Sequence, residues 1–373
     1  MPSRVKVGVI GVGSVAQIMH LPYLYELDDR FEVTAIADIA PGALAVVGDF
    51  YHIDQRFTDY RDLLATDVDA VLILTGGSHT PVVLDALAAG KHILVEKPLA
   101  FTVREADEIV AAVEGSDRTV MVGYMKRYDP GYCYAQRQVA EIPDLRSIQI
   151  HTFHPANEAY WWHHRIMRAP GVPALDQGRG PGDAAQQMRQ IGAGTRSGSE
   201  AALYDEALGA DAPMIQRIAY AIMLSSLVHD VNALRGLVGE PAGVAHTELW
   251  NGGLAITTVL RFPGELRAAY TWVYLDELRD YQEHIAVLAP SARVRIEFPS
   301  PFLRSMPTPV VVQREEDGAA TEKRVIVNYE EAFKEELRHF YECIITGRQP
   351  VTTIRDARED IYWLHQMALA WRG

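Results

Sequence analysis

The 373-residue chain has only two cysteines, Cys133 and Cys343, too few for a disulfide framework. That scarcity fits a reducing compartment, and a cytoplasmic protein is expected. No apolar stretch approaches the ~20 residues a bilayer span needs, and the opening "RVKVGVIGVG" lacks the apolar core of a signal peptide. No membrane partner is expected. Positive charge is also in short supply: 35 Lys and Arg stand against 49 Asp and Glu, a formal net charge of -14. A nucleic-acid surface needs clustered cations and no such run occurs, so nucleic acid is not expected as a partner. Long low-complexity segments are missing too. With 48% hydrophobic and 23% charged residues the chain reads as globular, and its length suits roughly two domains. A small molecule is left as the expected ligand.

What is present begins with alternation. Short apolar runs at 5–11, 32–38, 70–75, 92–97 and 119–124 are separated by stretches with helical spacing, such as "VAQIMHLPYLYEL", "YRDLLA", "PVVLDALAAG" and "VREADEIVAAVE". This is the pattern of a doubly wound parallel sheet covered on both faces. Thr80 before Pro81 reads as a helix N-cap and Gly90 as a C-cap. After about residue 124 the texture changes. Strands are expected at 146–153, 243–250, 254–262, 265–274, 283–289, 293–298, 309–314 and 323–328, close enough together for a largely antiparallel sheet. Helices are expected at 215–237, 330–346 and 354–371. The reading is an α/β dinucleotide-binding Rossmann domain over 1–124 and an α+β domain over 125–373. An irregular, Gly- and Pro-rich insertion at 155–213, with short helices near 183–191 and 199–208, has the length of a lid or interface element.

The strongest local motif is "GVIGVGSVA". Gly11, Gly13 and Ala16 fit G-x-G-x-x-A at the end of the first strand, with Ser14 and Val15 in the turn. Gly11 permits the tight turn, Gly13 lets backbone approach a pyrophosphate, and Ala16 lets the helix pack closely, its free N–H groups facing the phosphates. Asp38 ends the second strand and can accept from an adenosine ribose. Ile39, Ala40 and Pro41 after it offer no cation for a 2′-phosphate, so NAD is expected over NADP, with Arg56 and Arg61 the more distant cations that could alter that. At the end of the fourth apolar run stand Glu96 and Lys97. Neighbours on a strand point to opposite faces, so the two are not expected to pair with each other, and ligands of open α/β sheets bind outside the carboxyl ends of the strands.

Together with "DAVLILTGGSHTPVVLDALAAGKHILVEKPLA", "VMVGYMKRYDPGY" and "LVHDVNALRGLVGEP", the glycine loop resembles the glucose–fructose oxidoreductase, inositol dehydrogenase and rhizopine-catabolism (Gfo/Idh/MocA) family, closely over the first 135 or so residues. The resemblance implies a Rossmann domain plus an open, mostly antiparallel sheet domain, and a dehydrogenase or reductase acting on sugars or polyols with a nicotinamide cofactor. It implies that Lys97 holds the reacting hydroxyl and that Glu96 supports it or touches the cofactor. Thr75, Gly76 and His79 match the loop that passes the dinucleotide, and Lys126 or Arg127 would approach cofactor or substrate. The family's D-x-x-x-H helix is matched by His229 as general base, but Ser225 stands where the aspartate is expected, and Asp230 points about 100° away from His229. Lys97 and His229 are expected to converge on one hydroxyl or carbonyl, and the Lys97–Pro98 bond is expected to be cis.

Tyr160, Trp161 and Trp162, beside His163 and His164, could stack on a sugar ring; a metal site from His154, His163 and His164 lacks supporting ligand spacing and is not expected. A homodimer or homotetramer through the C-terminal sheet is expected. Two other readings stay open: glycoside cleavage or elimination through transient oxidation with a retained cofactor, and a dinucleotide- or sugar-sensing regulator without turnover.

Overall fold

The computed structural model describes residues 4–155, 163–168 and 184–373, with residues 184–189 described by backbone alone. The chain divides into two compact units. The first is built on six strands: β1 (Val5–Ile10), β2 (Phe31–Ala37), β3 (Gln55–Phe57), β4 (Ala70–Ile73), β5 (His92–Glu96) and β6 (Val120–Gly123). They pair in parallel in the order β3-β2-β1-β4-β5-β6. Every residue of β4 and β6 is buried, as strands covered on both faces require. The order reverses between β1 and β4, and that switch point is where an open α/β sheet leaves a crevice at its carboxyl edge.

The intervening helices are α1 (Leu21–Glu26), α2 (Pro41–Tyr51), α3 (Tyr60–Leu64), α4 (Thr80–Ala88) and α5 (Val103–Glu114). Helix α1 is preceded by a π-helical turn, Ala16–His20, whose five residues are all buried. Helix α5 opens with a capping box: the Thr102 hydroxyl accepts from the Glu105 N–H at 3.2 Å, and the Glu105 carboxylate accepts from the Thr102 N–H at 3.3 Å. Thr80 does not cap α4. It is the first helical residue, and its N–H is met by the Ser78 hydroxyl at 3.4 Å. Gly90, at φ +70°, sits just past the helix end. Helix α2 and the short edge strand β3 have weaker signals: α2 has no side-chain cap, and β3 is three residues long.

Later chain returns to this unit. Residues 333–359 and the described stretch 163–168 group with 1–125 rather than with the second unit. The reason is bonding: Thr352 accepts the Val122 N–H through its carbonyl at 3.1 Å and donates its hydroxyl to the Val122 carbonyl at 2.6 Å. The Met167 N–H donates to the Gln17 side-chain carbonyl at 2.7 Å.

The second unit carries β7 (Ser147–His154), β8 (Gly243–Trp250), β9 (Ala255–Arg261), β10 (Arg267–Tyr274), β11 (Gln282–Leu288), β12 (Ala292–Phe298), β13 (Val310–Glu316) and β14 (Ala319–Val325). They form one sheet in the order β14-β13-β12-β11-β7-β10-β9-β8, antiparallel except where β10 runs parallel to β7. One face is buried: Ile148 and Ile150 of β7, Ala268 and Tyr270 of β10, Ile285 and Val287 of β11. The alternate residues are half-buried or exposed, which is the period-2 signature of a one-sided sheet. Helices α6 (Pro130–Ala140), α7 (Ala184–Ser197), α8 (Ala201–Leu208), α9 (Met214–Ile222) and α10 (Val228–Val238) belong here. Helix α6 starts on an Asp-Pro signal, Asp129 accepting from the Tyr132 N–H at 2.9 Å. Helices α11 (Ala332–Thr346) and α12 (Ile354–Leu369) complete the chain.

Two expectations shift. The last strand spans 319–325 rather than 323–328, because Asp317 and Gly318, both at positive φ, make a two-residue hairpin turn after β13. The expected helix at 215–237 is interrupted by a π-helical turn, Met223–Leu227, between α9 and α10. Within 155–213 the described parts include α7 and α8. Residues 156–162 and 169–183, among them the candidates Tyr160, Trp161 and Trp162, lie outside the described residues.

Candidate functional site

In the first unit the glycine loop is shaped by contacts of its own. Gly11 has φ +92°, and a Cβ there would stand 2.8 Å from the Leu74 carbonyl carbon and oxygen, so only glycine lets the β1 and β4 loops pass this closely. A Cβ on Gly13 or Gly76 would meet nothing within 4 Å, so both present open backbone. Asp38 accepts the Val12 N–H on one oxygen and the Ala40 N–H on the other, each at 2.9 Å. Its carboxylate thus fixes the glycine loop and keeps a further lone pair on each oxygen for an outside hydroxyl. Ala16 is buried under the first helical turn, with half-buried Ser14 and Val15 ahead of it. The loop, the left-handed glycine and the anchored carboxylate fit a dinucleotide.

The neighbouring loop is braced from below. His79 is buried, its Nδ1 2.7 Å from the Pro98 carbonyl and its Nε2 2.8 Å from the Thr75 carbonyl. Both ring nitrogens are turned to main chain, so His79 holds the Thr75–Gly76 loop against the turn after β5. The peptide before Pro98 is cis. At the end of β5, Glu96 is buried and Lys97 half-buried. They make no side-chain pair: the Glu96 carboxylate takes His20 Nε2 at 2.8 Å and the Lys97 backbone N–H at 3.2 Å. Burial alone would push the Glu96 carboxyl up, but the hydrogen bond and charge of His20, with the charge of Lys97, hold it below its ordinary value. His20 escaped the sequence reading. Its signal was a titratable residue four positions after Ala16, in the otherwise apolar "IMHLPYL".

In the second unit Lys126 and Asp230, both expected as substrate-side residues, are buried against each other. Lys126 Nζ lies 2.6 Å from Asp230 Oδ1, also pairs with Glu283, and sits 4.7 Å above the Phe298 ring. Asp230 accepts from Thr152 Oγ1 at 3.1 Å and from the Tyr270 hydroxyl, and Tyr281 donates to Glu283 at 2.8 Å. The physical reason is that a buried ammonium is tolerated only with partners, and two carboxyls supply them. Burial and the charge of Asp230 push the Glu283 carboxyl up to about 8, while burial of Asp230 is outweighed by Lys126, which holds it down. Glu283 was missed, although it shares strand parity with Ile285 and Val287, a charge on the core-facing side of β11. Arg127 donates to Asn232 of α10 through its main-chain carbonyl at 3.5 Å and its side-chain oxygen at 3.3 Å. His229 is half-buried in the first turn of α10, just after the π turn that holds the exposed Ser225. Trp272 of β10 donates its indole N–H to Ser226 at 2.9 Å. Among the described residues no group of three or more His, Cys, Asp and Glu could hold a metal ion, and no helix is long and apolar enough to cross a membrane.

A parallel sheet with a glycine-rich turn at its switch point, joined to an open, mostly antiparallel sheet, defines a two-domain dinucleotide-binding protein. Residues 5–124 match the Gfo/Idh/MocA family model, described as "Oxidoreductase family, NAD-binding Rossmann fold". An inositol 2-dehydrogenase of Paracoccus denitrificans (strain Pd 1222) is 37% identical over 153 residues, which are 40% of this chain and 45% of that enzyme. The match thus spans less than half of that curated relative. Across nearly the whole chain the fold is shared with solved structures. KijD10, a 3-ketoreductase from Actinomadura kijaniata in complex with NADP and TDP-benzene, superposes with a TM-score of 0.71 at 19% identity, covering 99% of this chain and 98% of that one. Scyllo-inositol dehydrogenase from Lactobacillus casei with bound NAD(H) and scyllo-inositol gives 0.71 at 16% identity, covering 99% and 97%.

Proposed function

We propose that the protein is an oxidoreductase that moves a hydride between a nicotinamide dinucleotide and a CH–OH carbon of a sugar, polyol or related hydroxy or keto compound. The observation that carries this reading is the first unit's carboxyl edge: a dinucleotide-shaped loop at the β1/β4 switch point, and two strands along it a half-buried lysine whose preceding carboxylate is locked in place. The relatives' names support the substrate class. In this reading the cofactor supplies the hydride acceptor or donor. Gly11, Gly13, Ser14, Val15 and Ala16 receive its phosphates, Asp38 its adenosine ribose, and the Thr75–Gly76 loop braced by His79 passes its length, with Glu96 and Arg127 as further cofactor-side residues. Lys97 holds the reacting hydroxyl and takes or returns its proton. His229 acts as the general base of the second unit, a role matched to an imidazole near neutral pH.

We infer a preference for NAD. Arg56 is tied down by the Ile53 carbonyl at 2.6 Å and Asp49 at 2.7 Å, and Arg61 pairs with Asp85 at 3.1 Å and stacks 4.6 Å from the Tyr60 ring. Neither guanidinium is idle for a 2′-phosphate. Self-association through the half-buried face of the second sheet, and a cytoplasmic location, complete the reading. The test is calorimetric titration with both cofactors, then a screen of inositols, sugars and their keto forms following reduced-nicotinamide absorbance. Tighter NADP(H) binding would reverse the cofactor preference, and a cofactor-binding protein that turns over no member of the screen would refute the activity.

A further inference from the structure

Interior polar groups almost always find hydrogen-bond partners, and a fully buried carboxyl with neither oxygen satisfied calls for a reason. The first unit contains one. Glu336 of α11 has no exposed surface, and among the described residues neither carboxyl oxygen has a partner. Phe333, three residues earlier and therefore on the same helix face, meets the His20 ring edge-on at 5.5 Å. His20 is fully buried as well, its Nε2 on Glu96 and its Nδ1 without a partner. On β6, a Cβ added at Gly123 would stand 3.4 Å from the Glu96 carboxyl carbon. Among the described residues, the titratable groups that bear on Glu96 are His20 from the first helical segment, Glu336 from α11, and Lys97 beside it.

Two carboxyls in one dry space cannot both ionise cheaply. Fully buried with no partner on either oxygen, and pushed well above its ordinary value by burial and the charge of Glu96, Glu336 is the neutral acid of the two. Glu96, with His20 and the Lys97 N–H on its oxygens, keeps the charge.

We infer that His20 is a positioning residue for Lys97: it holds a buried negative charge on Glu96 while Glu336 stays neutral, and that charge, beside the Lys97 backbone, favours the protonated Lys97 amine. The consequence for turnover rests on the proposed role of Lys97; the test does not. Competitive acetic-anhydride labelling of the intact protein across pH, with the Lys97 peptide quantified by mass spectrometry, reads the amine directly. His20→Leu leaves Glu96 buried without its main partner, the carboxyl takes up a proton, and the Lys97 labelling midpoint should fall by about one pH unit, roughly tenfold in reactivity at a fixed pH below it. Glu96→Gln should give the same fall, and carries the test if melting shows His20→Leu to be unfolded. His20→Gln keeps a donor toward Glu96 and should label like the native protein. Glu336→Gln exchanges one neutral group for another and should also leave the midpoint in place. An unmoved midpoint in Glu96→Gln overturns the inference, and so does a moved one in Glu336→Gln, since the charge would then reside elsewhere. The expected labelling pattern in a protein that turns over no polyol would refute the functional reading alone.

Discussion

Replacing Glu283 by Gln should change how stability depends on pH. Glu283 shares a buried cluster with Lys126, Asp230 and Tyr270, beside the half-buried Tyr281, and its carboxyl is raised from 4.5 to about 8. A carboxyl with a raised folded-state pKa binds its proton more tightly in the folded chain, so its contribution is greatest below the unfolded value and is lost as pH climbs toward the folded one. Over that window the loss is about 1.4 kcal/mol per pH unit, or roughly 3 kcal/mol between about pH 5.5 and about pH 7.5. No discount for solvent screening applies, because the group is buried. Asp230 stays ionised and Lys126 stays charged throughout that range, since the one is held below its ordinary value and the other above. The difference between native and variant therefore isolates Glu283. Urea unfolding at a series of pH values should show the variant gaining on the native protein up to about pH 8 and running parallel above it. Parallel curves across the whole range, or a native protein that gains with pH, would refute the assignment of the proton to Glu283.

Lys97→Met should remove most turnover on any accepted polyol, on the order of 10²–10⁴ in kcat, while the calorimetric affinity for the cofactor stays near native. Gly11→Ala forces an L-residue into a left-handed conformation at a cost of roughly 1–2 kcal/mol and drives its Cβ into the Leu74 carbonyl, so a lower melting temperature should accompany lost dinucleotide binding. With Ser225 in place of an orienting carboxylate, His229→Ala should cost less kcat/KM than Lys97→Met. A steeper loss would show that another group orients the histidine.

The parallel unit was legible because its strands are continuous apolar runs ended by glycine or charge, a signal that needs no knowledge of what packs on them. Most strands of the second sheet were legible too, from period-2 alternation. The hairpin turn at Asp317–Gly318 was present in the letters and decides the register of β14. Short-range patterns failed where partners come from far along the chain. Lys126 and Asp230 stand in exposed-looking contexts, and only the arrival of Glu283, 157 positions after Lys126, makes them interior. His20 and Glu96 are 76 positions apart. A charge on the inward parity of a strand was the one clue that could have flagged Glu283.

The π turn at Met223–Leu227 also bears on the missing aspartate. Counting four residues back from His229 presumes α geometry, but here the count runs through a turn that holds one residue too many. A π turn behaves as a single-residue insertion absorbed inside a helix, and each residue rotates a helix by about 100°. The extra residue is taken up within the turn and the faces on either side are kept, so the sequence count across it is shifted by one and position 225 is not a like-for-like substitute of a position one α turn before the histidine. Deleting Ser225 would restore the α count and make Leu224 the residue one turn ahead of His229, with the faces of the flanking segments unchanged. A one-letter change in length, rather than in chemistry, is the lever this helix offers for choosing which side chain stands one turn before the histidine.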